Sequence, residues 1–504
     1  MTLSRRDFLK VGGATCLVAG TGAALAGCAP SGGAGDAADL AETGEAVLVG
    51  YQPVSFAEEV DILIVGSGYA GLAAAMEPAL AGKKIKIVEK QDQIGGDSAA
   101  SCCFMFAAGT ELQQKAGNPL TVDQYWEAIK EKQTAGYEQY DWFPEWVRGK
   151  TYANTKFVDT AINEFGAKFQ EPCTEAELPR LYGSVILPAD GIGSGGPNIL
   201  QPIASKLAEL GVEIVCGLRA TALIKDPEGA VIGCRFEDTV TGKITDVRAV
   251  ATVLATGGFA DNGEMVREHL PEWANYGQMV HGCLGEGHKI AAAAGAKLVG
   301  MDSSYDHCNL MGDIPNCTTW GYWTPIVLVL PNGKRFIEEA QSHDAAQAAL
   351  DAGYREWWSI FDDRAFAARA ISHSVEGNIK SREDVYVKAA TLDELAAGMD
   401  VPIDALKATF ARYDELVAGG EDTDFGKAAW LDSLQPPYHA LKLNVSRYKT
   451  SGGLIVGPNN QVLDTSDAEI PGLYAAGAVT LESFASMSMC LATGYYVGET
   501  LAAL

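Results

Sequence analysis

The 504-residue chain carries 38 lysines and arginines against 65 aspartates and glutamates, a formal net charge of −27, and 47% of its residues are hydrophobic. That length accommodates two or three domains with substantial cores, and the acidity argues against nucleic acid or an anionic lipid surface as a partner. Beyond the first 28 residues no apolar run approaches the ~20 residues of a membrane-spanning helix.

The chain opens with Ser4-Arg5-Arg6-Asp7-Phe8-Leu9-Lys10, followed by a small, apolar stretch from Ala14 to Ala26. A charged start, a short apolar middle and a small-residue end describe an export signal. The Arg5-Arg6 pair makes it a twin-arginine signal, whose route carries folded cargo. Leu25-Ala26-Gly27-Cys28 resembles the lipobox of bacterial lipoproteins. It implies export across the cytoplasmic membrane and an acylated Cys28 holding the chain at the extracytoplasmic face, with the lipid its only membrane contact. Residues 1–28 are therefore expected as signal and 29–54, rich in Gly, Ala, Ser and acids, as a flexible linker. The cysteines are scattered singly except for Cys102-Cys103 and include no C-x-x-C-H, so they suggest neither a disulfide framework nor an attached haem.

Val60 to Val65 reads as a buried parallel strand, followed by a glycine loop, an apolar helix and a second strand from Lys84 to Lys90, the opening of a dinucleotide fold. Residues 120 to 170 read as helical, and Gly211 to Phe236 as a small meander turning at Asp226-Pro227-Glu228-Gly229. Val247 to Phe259 returns a buried strand to the first sheet. The stretch from 302 to 447 is more aromatic and irregular, then helical around 391 to 418, and reads as an insertion; residues 448–504 close with a strand and an apolar helix. The expected fold is α/β, a doubly wound Rossmann-like domain (55–301 and 448–504) interrupted by an α+β capping domain at 302–447.

Gly66, Gly68 and Gly71 have the G-x-G-x-x-G spacing between a strand and a helix, and Glu89 ends the next strand 18 residues after Gly71. Gly66 permits the tight turn, Gly68 lets backbone N–H groups approach a pyrophosphate, Gly71 allows close helix–strand packing, and Glu89 accepts hydrogen bonds from a ribose. Gly95-Gly96, Leu254-Ala255-Thr256-Gly257-Gly258-Phe259 and Ile470 to Thr480 add further glycine turns after strands.

With these four motifs in order, residues 58 to 502 resemble the FAD-binding flavoprotein family of fumarate reductase, succinate dehydrogenase and the 3-ketosteroid dehydrogenases. The segment Gly95 to Gly117 is more similar to the ketosteroid branch. The resemblance implies FAD, held by Gly66, Gly68, Tyr69, Ala70, Gly71, Glu89, Lys90, Gly95, Gly96, Asp97, Ser98, Ala220, Ala255, Thr256, Gly257, Gly477, Ala478 and Met489. Loading FAD before export explains the paired arginines. Succinate dehydrogenases attach FAD through a histidine near the glycine pair; Asp97 stands there in this chain, which implies noncovalent FAD. No second dinucleotide unit follows, because Gly191 to Gly196 lacks the preceding strand. Electrons are therefore expected from a separate membrane or haem electron-transfer protein.

The same resemblance places substrate chemistry at His307, at His343 in the segment Asn332 to Asp344, and at Tyr448 ahead of the Gly452-Gly453 pair. Relatives that reduce fumarate carry a proton-donating arginine where His343 stands, and a further substrate arginine that has no counterpart near the C-terminal motif. The missing cations make a dicarboxylate a poor substrate. His343 is expected as proton donor, with Tyr448 as a second donor or a group that polarises a carbonyl. Trp320, Tyr322 and Trp323 are candidates for an aromatic wall, and Cys102-Cys103 for small residues lining the pocket. The expected activity is reduction of an activated C=C bond in a small organic acceptor, by hydride transfer from flavin N5, as a terminal electron-acceptor step. A ketosteroid-type dehydrogenase, and an electron-carrying flavoprotein with no small substrate, remain the alternatives.

Overall fold

The run Val60 to Val65, apolar apart from Asp61, forms the buried part of strand β1 (Glu58–Val65) in the computed structural model. The structure describes residues 54–99, 101, 105–134, 137–169, 185–186, 196–278, 282–302, 309–310, 325–339, 345–367, 384–427, 430–447, 449–481 and 487–504. The export signal and lipobox lie outside them.

Helix α1 (Tyr69–Leu80) returns the chain to β2 (Ile85–Val88), which runs parallel to β1 with Ile62 opposite Ile85 and Val65 opposite Val88. After the short α2 (Gly96–Ala99), the long α3 (Phe143–Asn163) and α4 (Gln201–Glu209), β3 (Glu213–Val215) joins parallel to β2. Of the meander expected over Gly211 to Phe236, strands β4 (Leu218–Lys225) and β5 (Val231–Asp238) form an antiparallel hairpin, with Gly229 N–H closing its turn on Asp226 O at 3.0 Å, whereas β3 belongs instead to the parallel edge beside β2. Strand β6 (Ile244–Leu254) belongs to both parts of the sheet. Its first half pairs antiparallel with β5, and its other edge runs parallel to β1 from Glu58–Val247 to Val65–Leu254.

A second sheet follows. Its strands include β7 (Gly277–Gln278), β8 (Val327–Val329), β9 (Glu356–Asp362), β10 (Tyr386–Ala389) and the central β11 (Tyr438–Arg447). Strands β9 and β10 are antiparallel to β11, whereas β7 meets its end in parallel, Gly277 opposite Ser446. Helix α5 (Glu286–Ala293) packs on the first sheet, with Ile290 and Ala291 in the core of Leu63 and Val65, whereas α6 (Ala345–Asp351), α7 (Leu392–Met399) and α8 (Ile403–Gly419) lie among these strands in sequence. The chain then returns to the first sheet with β12 (Gln461–Leu463), β13 (Glu469–Ala475) and helix α9 (Met487–Ala502), giving the order β12-β13-β6-β1-β2-β3 with the β5-β4 hairpin attached to β6.

The parallel strands are mostly apolar where both faces are covered, and the buried Lys86 on β2 is paired with Glu58 at 2.6 Å and Glu213 at 2.8 Å. Ile62 and Ile64 point into one core, with α1, α3 and α9, and Leu63 and Val65 point into the other. Half of helix α1 is Ala or Gly (Ala70, Gly71, Ala73, Ala74, Ala75 and Ala79), and there α9 lies directly on its backbone. A Cβ on Gly494 would overlap Ala70 O, and one on Gly498 would stand 2.9 Å from Ala74 O.

A buried ionic quartet braces the second sheet. Arg335 donates to Glu339 through Nε at 2.7 Å and Nη2 at 2.9 Å, and through Nη2 to Asp422 at 2.8 Å. Lys427 Nζ donates to Ile326 O at 2.6 Å and Tyr413 Oη at 3.0 Å, and lies 3.4 Å from Glu339. Glu339 and Asp422 hold the Arg335 guanidinium above its ordinary pKa, against the opposing effect of burial. Two cations therefore match two anions. Arg335→Met leaves two buried carboxylates facing one lysine and is expected to cost about 3–5 kcal/mol, read as a lower urea midpoint for unfolding.

Candidate functional site

The ends of β1, β2 and β6 open into one long cleft. Its walls come from the β1–α1 turn (Val65, Gly66, Gly68, Tyr69, Ala70), the end of β2 (Val88 to Gln91), and the Gly95 to Ser98 segment. Leu218 and Ala220 on β4, Ala255 to Gly258 after β6, and Gly282, Cys283, Glu286 and Gly287 continue it. Lys449, Thr450, Ala476, Ala478 and Cys490 complete the lining.

The turn after β1 is shaped by two backbone approaches. Gly66 has φ of 108°, a conformation open to glycine, and a Cβ there would overlap Ala255 O. A Cβ on Gly71 would overlap Gly66 O, so Gly71 is the packing glycine. At Gly68 an added Cβ would sit 3.1 Å from Ser98 Oγ, and its neighbourhood is otherwise the cleft. Helix α1 begins there with no side-chain cap and no acid in its first turn, leaving its positive end to the cleft.

A hydrogen-bonded chain ties three walls together. Glu89 Oε2 accepts from Ser67 N–H at 3.0 Å and Ser67 Oγ at 2.6 Å, while Oε1 accepts from Gln91 N–H at 3.0 Å. Ser67 Oγ in turn accepts Gly95 N–H at 3.0 Å, and Ser98 Oγ accepts Tyr69 N–H at 3.0 Å. Lys90 Nζ pairs with Glu286 and donates to Gly282 O at 2.6 Å. Asp97 accepts the Cys283 thiol. Burial raises the Asp97 carboxyl above its ordinary pKa, and burial together with Asp97 pushes the Cys283 thiol well up. Thr450 Oγ1 accepts Phe259 N–H at 3.1 Å. His288 beside it is enclosed, 3.4 Å from Gly452 O, and burial lowers its pKa to about 4, so it is neutral at pH 7.

Of the residues expected from sequence, Gly66, Gly68, Tyr69, Ala70, Glu89, Lys90, Gly95, Gly96, Asp97, Ser98, Ala220, Ala255, Thr256, Gly257 and Ala478 all line the cleft. Gly71, Gly477 and Met489 do not line it. An added Cβ on Gly477 would meet Ala70 Cβ at 2.6 Å, and the Met489 carbonyl accepts Thr493 Oγ1 at 2.8 Å within α9. His307, His343, Tyr448, Trp320, Tyr322, Trp323, Cys102 and Cys103 lie outside the described residues. Sequence reasoning missed Gln91, Leu218, Gly258, Cys283, Glu286, Gly287, Lys449, Thr450 and Cys490, as well as Val65, Val88, Ala260, Gly282 and Ala476. Lys449 and Thr450 were within reach, since they precede the Gly452-Gly453 pair; Cys283 and Glu286 carry no local signal.

Residues 61–489 match the family described as FAD binding domain. The chain is 27% identical to the urocanate reductase of Eggerthella lenta over 441 residues, covering 84% of this chain and 70% of that protein. It superposes on the open conformation of a flavocytochrome c3 fumarate reductase with a TM-score of 0.70 at 25% identity, covering 93% of this chain and 81% of that one. The 3-ketosteroid-Δ4-(5α)-dehydrogenase of Rhodococcus jostii RHA1 superposes with a TM-score of 0.66 at 24% identity, over 90% and 98% of the two chains, a likeness of fold.

The cleft fits FAD on its own features. An uncapped helix N-terminus suits a diphosphate, and Glu89 at the end of β2 suits a ribose. Thr256 Oγ1 is buried on the cleft wall with no hydrogen-bond partner among the described residues, a polar group awaiting one. Two substitutions separate the glycine roles. Gly68→Val is expected to fold and to purify without FAD, read as loss of the flavin absorption band. Gly71→Ala is expected to cost about 1–3 kcal/mol of stability by pushing α1 off β1, read by urea unfolding.

Proposed function

Because the chain belongs to the FAD binding domain family and is an FAD-dependent oxidoreductase, we propose that it reduces an activated C=C bond of a small organic acceptor. The observation that carries this reading is the likeness, across most of the chain, to proteins named as urocanate reductase and fumarate reductase. Bound FAD, once reduced, supplies a hydride equivalent. The chain's own task is to place the alkene at the Lys449–Thr450 end of the cleft, exclude water, and deliver a proton to the second alkene carbon.

We assign that proton to His343, in the segment that leaves the ionic quartet at Glu339. Tyr448, next to cleft-lining Lys449, is the second donor or the group that polarises a conjugated carbonyl. Lys449 returns one cation to a site from which two arginines are missing, which suits a substrate less charged than a dicarboxylate. FAD is held without a covalent bond, since Asp97 cannot form the histidyl link. Its electrons come from a separate membrane or haem protein, for which the flavocytochrome likeness is the support. Export by the twin-arginine route after FAD loading, and anchoring through Cys28, complete the reading.

His343→Ala is expected to keep its flavin spectrum while reoxidation of the reduced holoprotein by its alkene slows by ~10²–10⁴, roughly 3–5 kcal/mol of barrier. Tyr448→Phe losing turnover while His343→Ala keeps it would make the tyrosine the acid. A screen of enones, cinnamate-like acids and steroids against the dithionite-reduced protein comes first. If none of them reoxidises the flavin, the electron-carrier alternative takes over. Arg5→Lys with Arg6→Lys is expected to leave precursor in the cytoplasm, read by fractionation.

A further inference from the structure

Three described carboxylates line the FAD cleft, and two of them are compensated. Glu89 accepts three hydrogen bonds from Ser67 and Gln91, and Glu286 is paired with Lys90. The third, Asp97, takes only the thiol of Cys283 among the described residues, and a thiol is a weak donor. Asp97 lies between Gly96 and Ser98, on the segment whose Ser98 Oγ holds Tyr69 N–H in the first turn of α1. That turn is the part of the cleft suited to a diphosphate, which brings two further negative charges.

The charged groups facing Asp97 add to the problem. Glu89 and Asp261 disfavour its ionisation, Lys90 and the Cys283 thiol favour it, and burial outweighs them all. Lys90 is already engaged by Glu286 and Gly282 O, and Asp261 Oδ2 accepts Gly282 N–H at 2.9 Å. Among the described groups acting on the half-buried Asp97, two carboxylates oppose its charge and the one lysine, Lys90, is shared with Glu286.

We propose that Asp97 is a proton-linked gate on the cofactor: it stays a neutral carboxylic acid while FAD is bound, and its ionisation weakens FAD binding. The sign follows from linkage. FAD's phosphates raise the pKa of Asp97 further, so the loaded protein binds more protons than the empty one. Affinity is greatest below the pKa of the empty cleft. It falls by up to about tenfold per pH unit between that value and the higher one of the loaded cleft, then levels off.

The test follows FAD release from diluted holoprotein by flavin fluorescence, between about pH 5 and about pH 9. The parent is expected to hold FAD less tightly as pH rises through the window. Asp97→Asn, neutral and of the same shape, is expected to hold it at the parent's low-pH level throughout, with a flat profile. Cys283→Ala removes a donor that favours the charged carboxyl and is expected to move the window to higher pH. If Asp97→Asn keeps the parent's profile, or loses FAD at every pH, the proposal is overturned. If Cys283→Ala alone flattens the profile, the thiol is the titrating group and the proposal also fails.

Discussion

The carboxylate of Glu89 is the constraint around which the cleft is assembled. By accepting both donors of Ser67 it fixes the glycine turn against the end of β2, and through Ser67 Oγ it also fixes the loop at Gly95. Three segments separate in sequence are held by one buried side chain, with one carboxylate lone pair left for a ligand. The alternative, a glycine-rich turn with no such anchor, would have to be ordered by the cofactor and would bind it less tightly for that reason.

The two sheets answer different electrostatic demands. In the second, buried charge is balanced internally, with Arg335 and Lys427 matched by Glu339 and Asp422. In the first, polar groups are left open toward the cleft: a helix start that its own N-cap residue does not cap, and a buried Thr256 hydroxyl and an Asp97 carboxyl whose hydrogen bonding among the described residues is, respectively, absent and from a thiol. A protein of net charge −27 thus presents its ligand with local features that its overall charge does not describe. Closed networks make scaffold and open ones make sites.

Much of the fold could be read from the chain because its signals are local. The apolar run of β1, the glycine spacing and the turn at Asp226 to Gly229 each depend on residues adjacent in sequence. Cleft residues supplied by contiguous motifs were found for the same reason. Cys283 and Glu286 could not be, because what places them is the pairing of Glu286 with Lys90, almost two hundred residues earlier, and of Cys283 with Asp97. Gly477 and Met489 show the converse. Both sit in a motif that borders the cleft without lining it, and at Gly477 an added Cβ would meet Ala70 Cβ.

The contact of α9 with α1 has a consequence for how the protein comes into being. The backbone that carries Ala70 at the cleft is covered by Gly494, and between them in sequence lies the entire second sheet. A ribosome must therefore synthesise about four hundred residues after the glycine turn before that turn acquires its supporting helix. During that interval the small apolar face of α1 is uncovered, and the site cannot hold FAD with its final strength. Assembly of the cofactor site is by topology a late event of folding, following the sheet that interrupts it.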